Sequence, residues 1–157
     1  MIILGIDPGT HRVGYGLIES SSRECRYIEA GLLPLGRASV SRQLQTIKKE
    51  LDALVYKFQP KALAVEKLYF SKNQKTAIEV AQARGVILLA AAEHSLLLAE
   101  FGPSEMKAHL TGFGGADKAA VAKMVRLCLR APTLRMIDDA SDALALALVA
   151  HFMKRWG

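Results

Sequence analysis

Ile2-Ile3-Leu4-Gly5-Ile6-Asp7-Pro8-Gly9-Thr10 is a nearly unbroken apolar run that closes on one carboxylate and then turns. Continuous apolar character over five residues is what a central strand covered on both faces requires. Val13-Gly14-Tyr15-Gly16-Leu17-Ile18 follows the Pro-Gly-Thr turn, so the two runs read as an antiparallel hairpin. Asp7 is open to three readings: a metal ligand, part of a nucleotide phosphate loop, or a turn-former. The remaining pattern has to choose among them.

Outward from the hairpin, Cys25 to Leu35 reads as a third strand. The period then changes: Leu44, Ile47, Leu51, Leu54, Val55 and Phe58 recur at helical spacing until Gln59-Pro60 stops the helix. Ala62-Leu63-Ala64-Val65 is a short buried strand ending on Glu66, and Ala77 to Ala92 reads as a long apolar helix. Leu96 to Ala99 supplies a fifth strand, and Pro103-Ser104 opens a helix that Ser104 could cap. Two more helices, from Asp117 to Leu129 and from Asp139 to His151, complete the chain. The order β-β-β-α-β-α-β-α-α-α predicts one α/β domain over residues 1–157 with a five-stranded mixed sheet and helices on both faces.

Composition narrows the partner. The 157 residues carry 21 Lys and Arg against 15 Asp and Glu, a net charge of +6 that favours an anionic partner, nucleic acid first. There is no extended tract of consecutive basic residues, so a basic surface has to be assembled by folding. Cys25 and Cys128 stand far apart without metal-ligand spacing and read as reduced thiols. No apolar stretch reaches the length of a membrane span, and no signal peptide is visible, so a cytoplasmic location and no membrane partner are expected.

Asp7 and Glu66 each close an apolar strand, the place where α/β sheets collect functional groups. For either acid alone, capping a strand in solvent is as good a reading. Asp139 and Asp142 lie three apart on one face of the last helix, with Asp138 placed as its N-cap. The Ala/Leu-rich helix that follows pulls these acids towards the core, where like charges repel unless a cation relieves them. Four oxygen donors without a Cys or His cluster suit Mg²⁺ or Mn²⁺, and two such ions are the arrangement of nucleases and polymerases.

The set GIDPGT (5–10), AVEKLYFSKNQKTA (64–77), QARG (82–85), EMKAHLTGFGGADKAAVAKMV (105–125) and DDASDALALAL (138–148) resembles the bacterial RuvC family of Holliday junction resolvases. The match runs colinearly from about Ile3 to His151. The resemblance implies a ribonuclease H-like fold and a homodimer making paired, symmetric, metal-dependent nicks in four-way junction DNA, leaving 5′-phosphate and 3′-hydroxyl ends, in homologous recombination and DNA repair. It makes Asp7, Glu66, Asp139 and Asp142 the metal quartet, with two ions per subunit, and leaves Asp138 outside the pattern. It places Lys107 and Lys118 near the scissile phosphate and Tyr69 as a wedge at the crossover. It also implies contact with the RuvA–RuvB branch-migration complex, and a dimer interface on the helix carrying Gly85.

The segment after Glu66 interleaves aromatics with lysines, so Tyr69, Phe70, Ser71, Lys72 and Asn73 are candidate DNA contacts, with Phe70 open between wedge and core. Thr10 and Arg12 beside Asp7 are candidate phosphate contacts, and His11 could also touch DNA. Lys123, Arg126 and Arg130 read as a solvated helix face.

Two other classes compete. Phosphotransferases of the actin and hexokinase type also carry an Asp-x-Gly-Thr hairpin, but they need two domains and an adenosine pocket. A non-enzymatic DNA-binding protein explains the charge but not the four acids. A different ribonuclease H-like nuclease is chemically close, and the colinear motifs argue against it.

Overall fold

The computed structural model describes residues 1–9, 11–69 and 74–154. Three strands, β1 (Ile2–Pro8), β2 (Val13–Ser20) and β3 (Cys25–Leu32), lead into α1 (Val40–Phe58). Then β4 (Ala62–Glu66), α2 (Gln74–Glu93) and β5 (Leu97–Phe101) alternate. The chain closes with α3 (Pro103–Thr111), α4 (Lys118–Cys128) and α5 (Asp138–Met153). The element order is the one read from the sequence.

The five strands form one mixed sheet in the order β3-β2-β1-β4-β5. β1 and β2 pair antiparallel with Asp7 opposite Gly14, and β1 and β4 pair parallel with Ile6 opposite Val65. Strand periodicity sorts the side chains between two cores. Leu4, Ile6, Leu63 and Val65 pack under α1 and α2, while Ile3, Ala62, Ala64 and Phe101 pack under α3, α4 and α5. Helices therefore cover both faces, as predicted. Among the described residues no helix is long and apolar enough to cross a membrane.

Two glycines decide how close α5 comes. A Cβ at Gly5 would collide with the Ala143 carbonyl, and one at Gly14 with the Asp139 carbonyl. The helix backbone thus rests directly on the backbones of β1 and β2, a contact any larger residue would forbid. Ala140 and Ala143 to Ala150 are buried along this contact and against α4.

Several boundaries differ from the sequence reading. α2 begins at Gln74 rather than Ala77, and β5 runs Leu97–Phe101 rather than Leu96 to Ala99. α3 is entered through Gly102, not capped by Ser104: the Glu105 carboxylate accepts the Gly102 N–H at 3.1 Å. Proline at the first helical position pushes the cap one residue earlier. Asp138 is likewise not the cap of α5, because Ile137 takes the extended conformation before the first turn. Asp138 instead lies in that turn and accepts Lys118 Nζ at 3.4 Å. Asp117 caps α4 as its side chain accepts the Ala120 N–H at 2.8 Å. Cys25 and Cys128 are free thiols, and burial pushes Cys25 up to about 11.

Candidate active site

Period-two alternation that buries Leu4 and Ile6 on one face turns Ile3, Gly5 and Asp7 to the other, under α5. The parallel register does the same for Glu66, which follows Val65 as Asp7 follows Ile6. The two strand-end carboxylates therefore lie side by side and face the same helix. Because Gly5 and Gly14 let α5 down onto the sheet, its first turns bring Asp142 into their cavity and Asp139 near enough for its charge to act on Asp7. A cavity of about 150 Å³ is lined by Asp7, Glu66, Asp142, Lys107 and Lys118. It is smaller than the ~300–1,000 Å³ that encloses a drug-sized ligand, which leaves no room there for an adenosine.

Electrostatics report the crowding. Asp7 is pushed up to about 8, first by burial and then by Glu66, Asp142 and Asp139, with only Lys118 opposing. Burial and the Asp142 charge raise Glu66, and Lys107 opposes. Burial raises Asp142 too, with Lys118 pulling the other way and Asp139 adding to the rise. Partial burial works against the charge on Lys118, but the hydrogen bond to Asp138 and the nearby acids outweigh it and hold the ammonium form. Its pair with Asp138 is well exposed on both sides, so it is a weak tether.

This is an excess of negative charge that the protein's own lysines do not cancel. Among the described residues no three His, Cys, Asp or Glu side chains already form a metal cage. The donor set nevertheless fits a hard divalent cation: oxygen ligands only, partly buried, and mutually destabilised without one.

Tyr69 lies beyond Glu66, 61% exposed, with its ring against Gly102 at the end of β5. Arg12 is exposed on the β1–β2 turn, outside the small cavity. Thr10, Phe70, Ser71, Lys72 and Asn73 lie outside the described residues.

Three features escaped the sequence reading. Arg84 of α2 donates through Nε to the Glu66 carbonyl at 3.1 Å and pairs with Glu100, which fixes the end of β4 against β5. It stood inside the QARG motif, but nothing in the motif says what its guanidinium holds. Phe113, 68% exposed, sits on the loop joining the two lysine-bearing helices. Gly5 and Gly14 read as ordinary strand residues until α5 is seen on top of them. Arg126 is also not the freely solvated side chain expected: its Nε donates to the Leu134 carbonyl at 2.8 Å.

The family model described as crossover junction endodeoxyribonuclease RuvC matches residues 3–151. The chain belongs to the RuvC family. Crossover junction endodeoxyribonuclease RuvC of Heliobacterium modesticaldum is 43% identical over all of this chain and 98% of its own length. The RuvC of Thermosipho melanesiensis is 44% identical over 94% of each chain. Among solved structures, Thermus thermophilus RuvC in complex with Holliday junction substrate superposes with a TM-score of 0.89 at 30% identity. That match covers 99% of this chain and 95% of the other. The five-stranded sheet with helices on both faces is thus the ribonuclease H-like architecture of RuvC.

Proposed function

We propose that this chain is a structure-selective endonuclease that resolves Holliday junctions in homologous recombination and DNA repair. One observation carries the reading: Asp7, Glu66 and Asp142, from two strand ends and one helix, line one cavity with Lys107 and Lys118, with Asp139 close enough for its charge to act on Asp7, in a chain of the RuvC family. The Thermus relative's complex with junction DNA supports the choice of substrate. Residues 1–157 act as one nuclease domain.

Asp7, Glu66, Asp139 and Asp142 hold divalent cations, two per subunit, Mg²⁺ with Mn²⁺ as a substitute. When bound, the ions supply charge neutralisation at the scissile phosphate and a more acidic attacking water. The protein's residues do the rest. The carboxylates of β1 and β4 are fixed by the sheet, and those of α5 by its backbone contact at Gly5 and Gly14. Lys107 and Lys118 bring positive charge to a small, partly enclosed site, where charge developing on the phosphate is stabilised more than in water. Tyr69 offers an exposed ring to an unpaired base at the branch point. Thr10, Arg12, Phe70, Ser71, Lys72 and Asn73 extend the DNA contact around the acids. Hydrolysis leaves 5′-phosphate and 3′-hydroxyl ends, which a ligase can seal.

A homodimer places two such sites for paired nicks. Support comes from α2, where Ile78, Gly85 and Leu89 are exposed along one stripe and a Cβ at Gly85 would meet nothing within 4 Å. The family likeness adds the RuvA–RuvB motor as a partner and the cytoplasm as the site of action.

Purified protein incubated with a synthetic mobile four-way junction and with linear duplex, with and without Mg²⁺, tests the reading. Paired, Mg²⁺-dependent nicking confined to the junction is expected. Equal cutting of both substrates rejects it.

A further inference from the structure

The carboxyl end of the sheet extends to both sides of the acids. On one side, beyond β4 and β5, stands Tyr69. On the other, the β1–β2 turn and the β3–α1 connection emerge together, because Asp7 pairs with Gly14 and Gly14 with Leu32. Between them lies a groove of about 910 Å³, lined by His11, Arg12, Arg37, Ser39 and Gln43 among others, with no acidic side chain among the described residues of its wall.

The charge in this groove is uncompensated. Among the described residues, neither Arg12 nor Arg37 has an ion-pair partner, whereas Arg26, Arg84 and Arg130 each reach a glutamate. Arg37 and Arg42 flank the start of α1, whose first turn holds no acid, and among the described residues neither has an ion-pair partner. Two unpaired guanidiniums facing one solvent-filled groove invite an anion with repeated charges rather than a single small one. An acidic protein would satisfy the charge, but the groove continues the line that runs from Tyr69 across the acids. A polyanion already seated at those acids meets it next.

We propose that the groove seats the sugar-phosphate backbone of the duplex arm beyond the cut phosphate, on the side away from Tyr69. This rests on the junction-nuclease reading and adds to it a direction: branch point at Tyr69, cut at the acids, arm over Arg12 and Arg37. Arg37 is the new residue, since no sequence motif includes it.

The test uses the Asp7→Asn protein, so that DNA is bound and not cut. Arg37→Ala and the Arg12→Ala/Arg37→Ala pair are added, with thermal melting as the folding control. Affinity for a four-way junction is measured across a salt series, with long arms and with arms trimmed short of the groove. On long arms the double variant is expected to bind about tenfold more weakly. Its salt slope is expected to fall by about 2, since each phosphate that an arginine no longer neutralises removes about 0.9. On trimmed arms the variants and the parent are expected to converge. An unchanged slope on long arms overturns the proposal, as does an equal weakening on trimmed arms. Failure of the junction reading looks different: the parent itself would then show no preference for the junction over linear duplex. The arm contact would still register on linear duplex, because backbone contacts do not depend on a branch.

Discussion

Asp7 carries most of the cost of the site. Its acid is raised from an ordinary 3.8 to about 8 in the ion-free fold, so the folded chain binds a proton that the unfolded chain releases. Its contribution to stability is complete below pH ~4 and is lost as pH rises towards 8. Asp7→Asn removes the ionisable group. In EDTA at pH 8 it is expected to melt several degrees above wild type, since 1 kcal/mol moves the midpoint by about 2–4 °C in a chain of this size. The gap is expected to close near pH 4, and nicking to fall by about a thousandfold or more, the loss of several kcal/mol of charge stabilisation. Scanning calorimetry at the two pH values and a nicking assay check both halves.

Variants at Lys118 and Tyr69 test the proposed chemistry and the proposed recognition separately. Lys118 is held only by an exposed 3.4 Å contact to Asp138, so Lys118→Ala is expected to leave the melting temperature almost unchanged. Single-turnover cleavage with DNA saturating is expected to slow by about 10²–10³, as for one preorganised electrostatic group. Tyr69→Ala is expected to weaken junction binding by the worth of one stacked base, about 1–3 kcal/mol, while Tyr69→Phe keeps it, as titrations with labelled junction would register. That Asp7, Glu66, Asp139 and Asp142 would come near one another was legible because strand ends and helix spacing are written in the local sequence. Arg84 was not: its role is set by where the Glu66 carbonyl lies across the sheet, and no local pattern encodes that.

At the scale of elements, the approach of α5 to the sheet governs the site. The order of strands and helices followed from periodicity, because each element displays its own apolar stripe. The approach distance did not, because it depends on glycines in one element meeting backbone in another, far along the chain. Gly14→Ala sets a methyl against the Asp139 carbonyl and forces α5 outward. A destabilisation upwards of about 2 kcal/mol is expected, seen as a midpoint lower by about 4–8 °C, with cleavage suffering more than junction binding. Gly85→Ala offers a contrast: its methyl meets no atom of its own chain within 4 Å, so any effect there falls on the proposed pairing stripe of α2. The cap positions were misread for a related reason: Ser104 and Asp138 are good capping residues, but proline at one helix start and Ile137 at the other set the first turn elsewhere.

For the molecule as a whole, the two faces of the sheet have separate duties. The α5 face builds the acidic cavity, and the α1–α2 face carries the exposed α2 stripe proposed as a pairing surface. Lys48, Asp52, Glu93 and His94 tie α1 to the end of α2, with Lys48–Glu93 at 2.8 Å and His94–Asp52 at 2.7 Å. These links keep the outer stripe of α2 in place. Leu89, 54% exposed on that stripe, is a suitable probe. Leu89→Lys is expected to convert a dimer to a monomer in analytical ultracentrifugation with little change in melting temperature. The two nicks would then become independent events.

The descent of α5 onto Gly5 and Gly14 has a temporal consequence. Asp7 and Glu66 lie on strands, but Asp139 and Asp142 join them only when α5, which follows every strand in the chain, has docked. A refolding intermediate whose α5 has not docked brings together only two of the four acids proposed to hold metal. On the proposed mechanism, cutting is expected to appear only after that helix is seated and to be lost when it lifts.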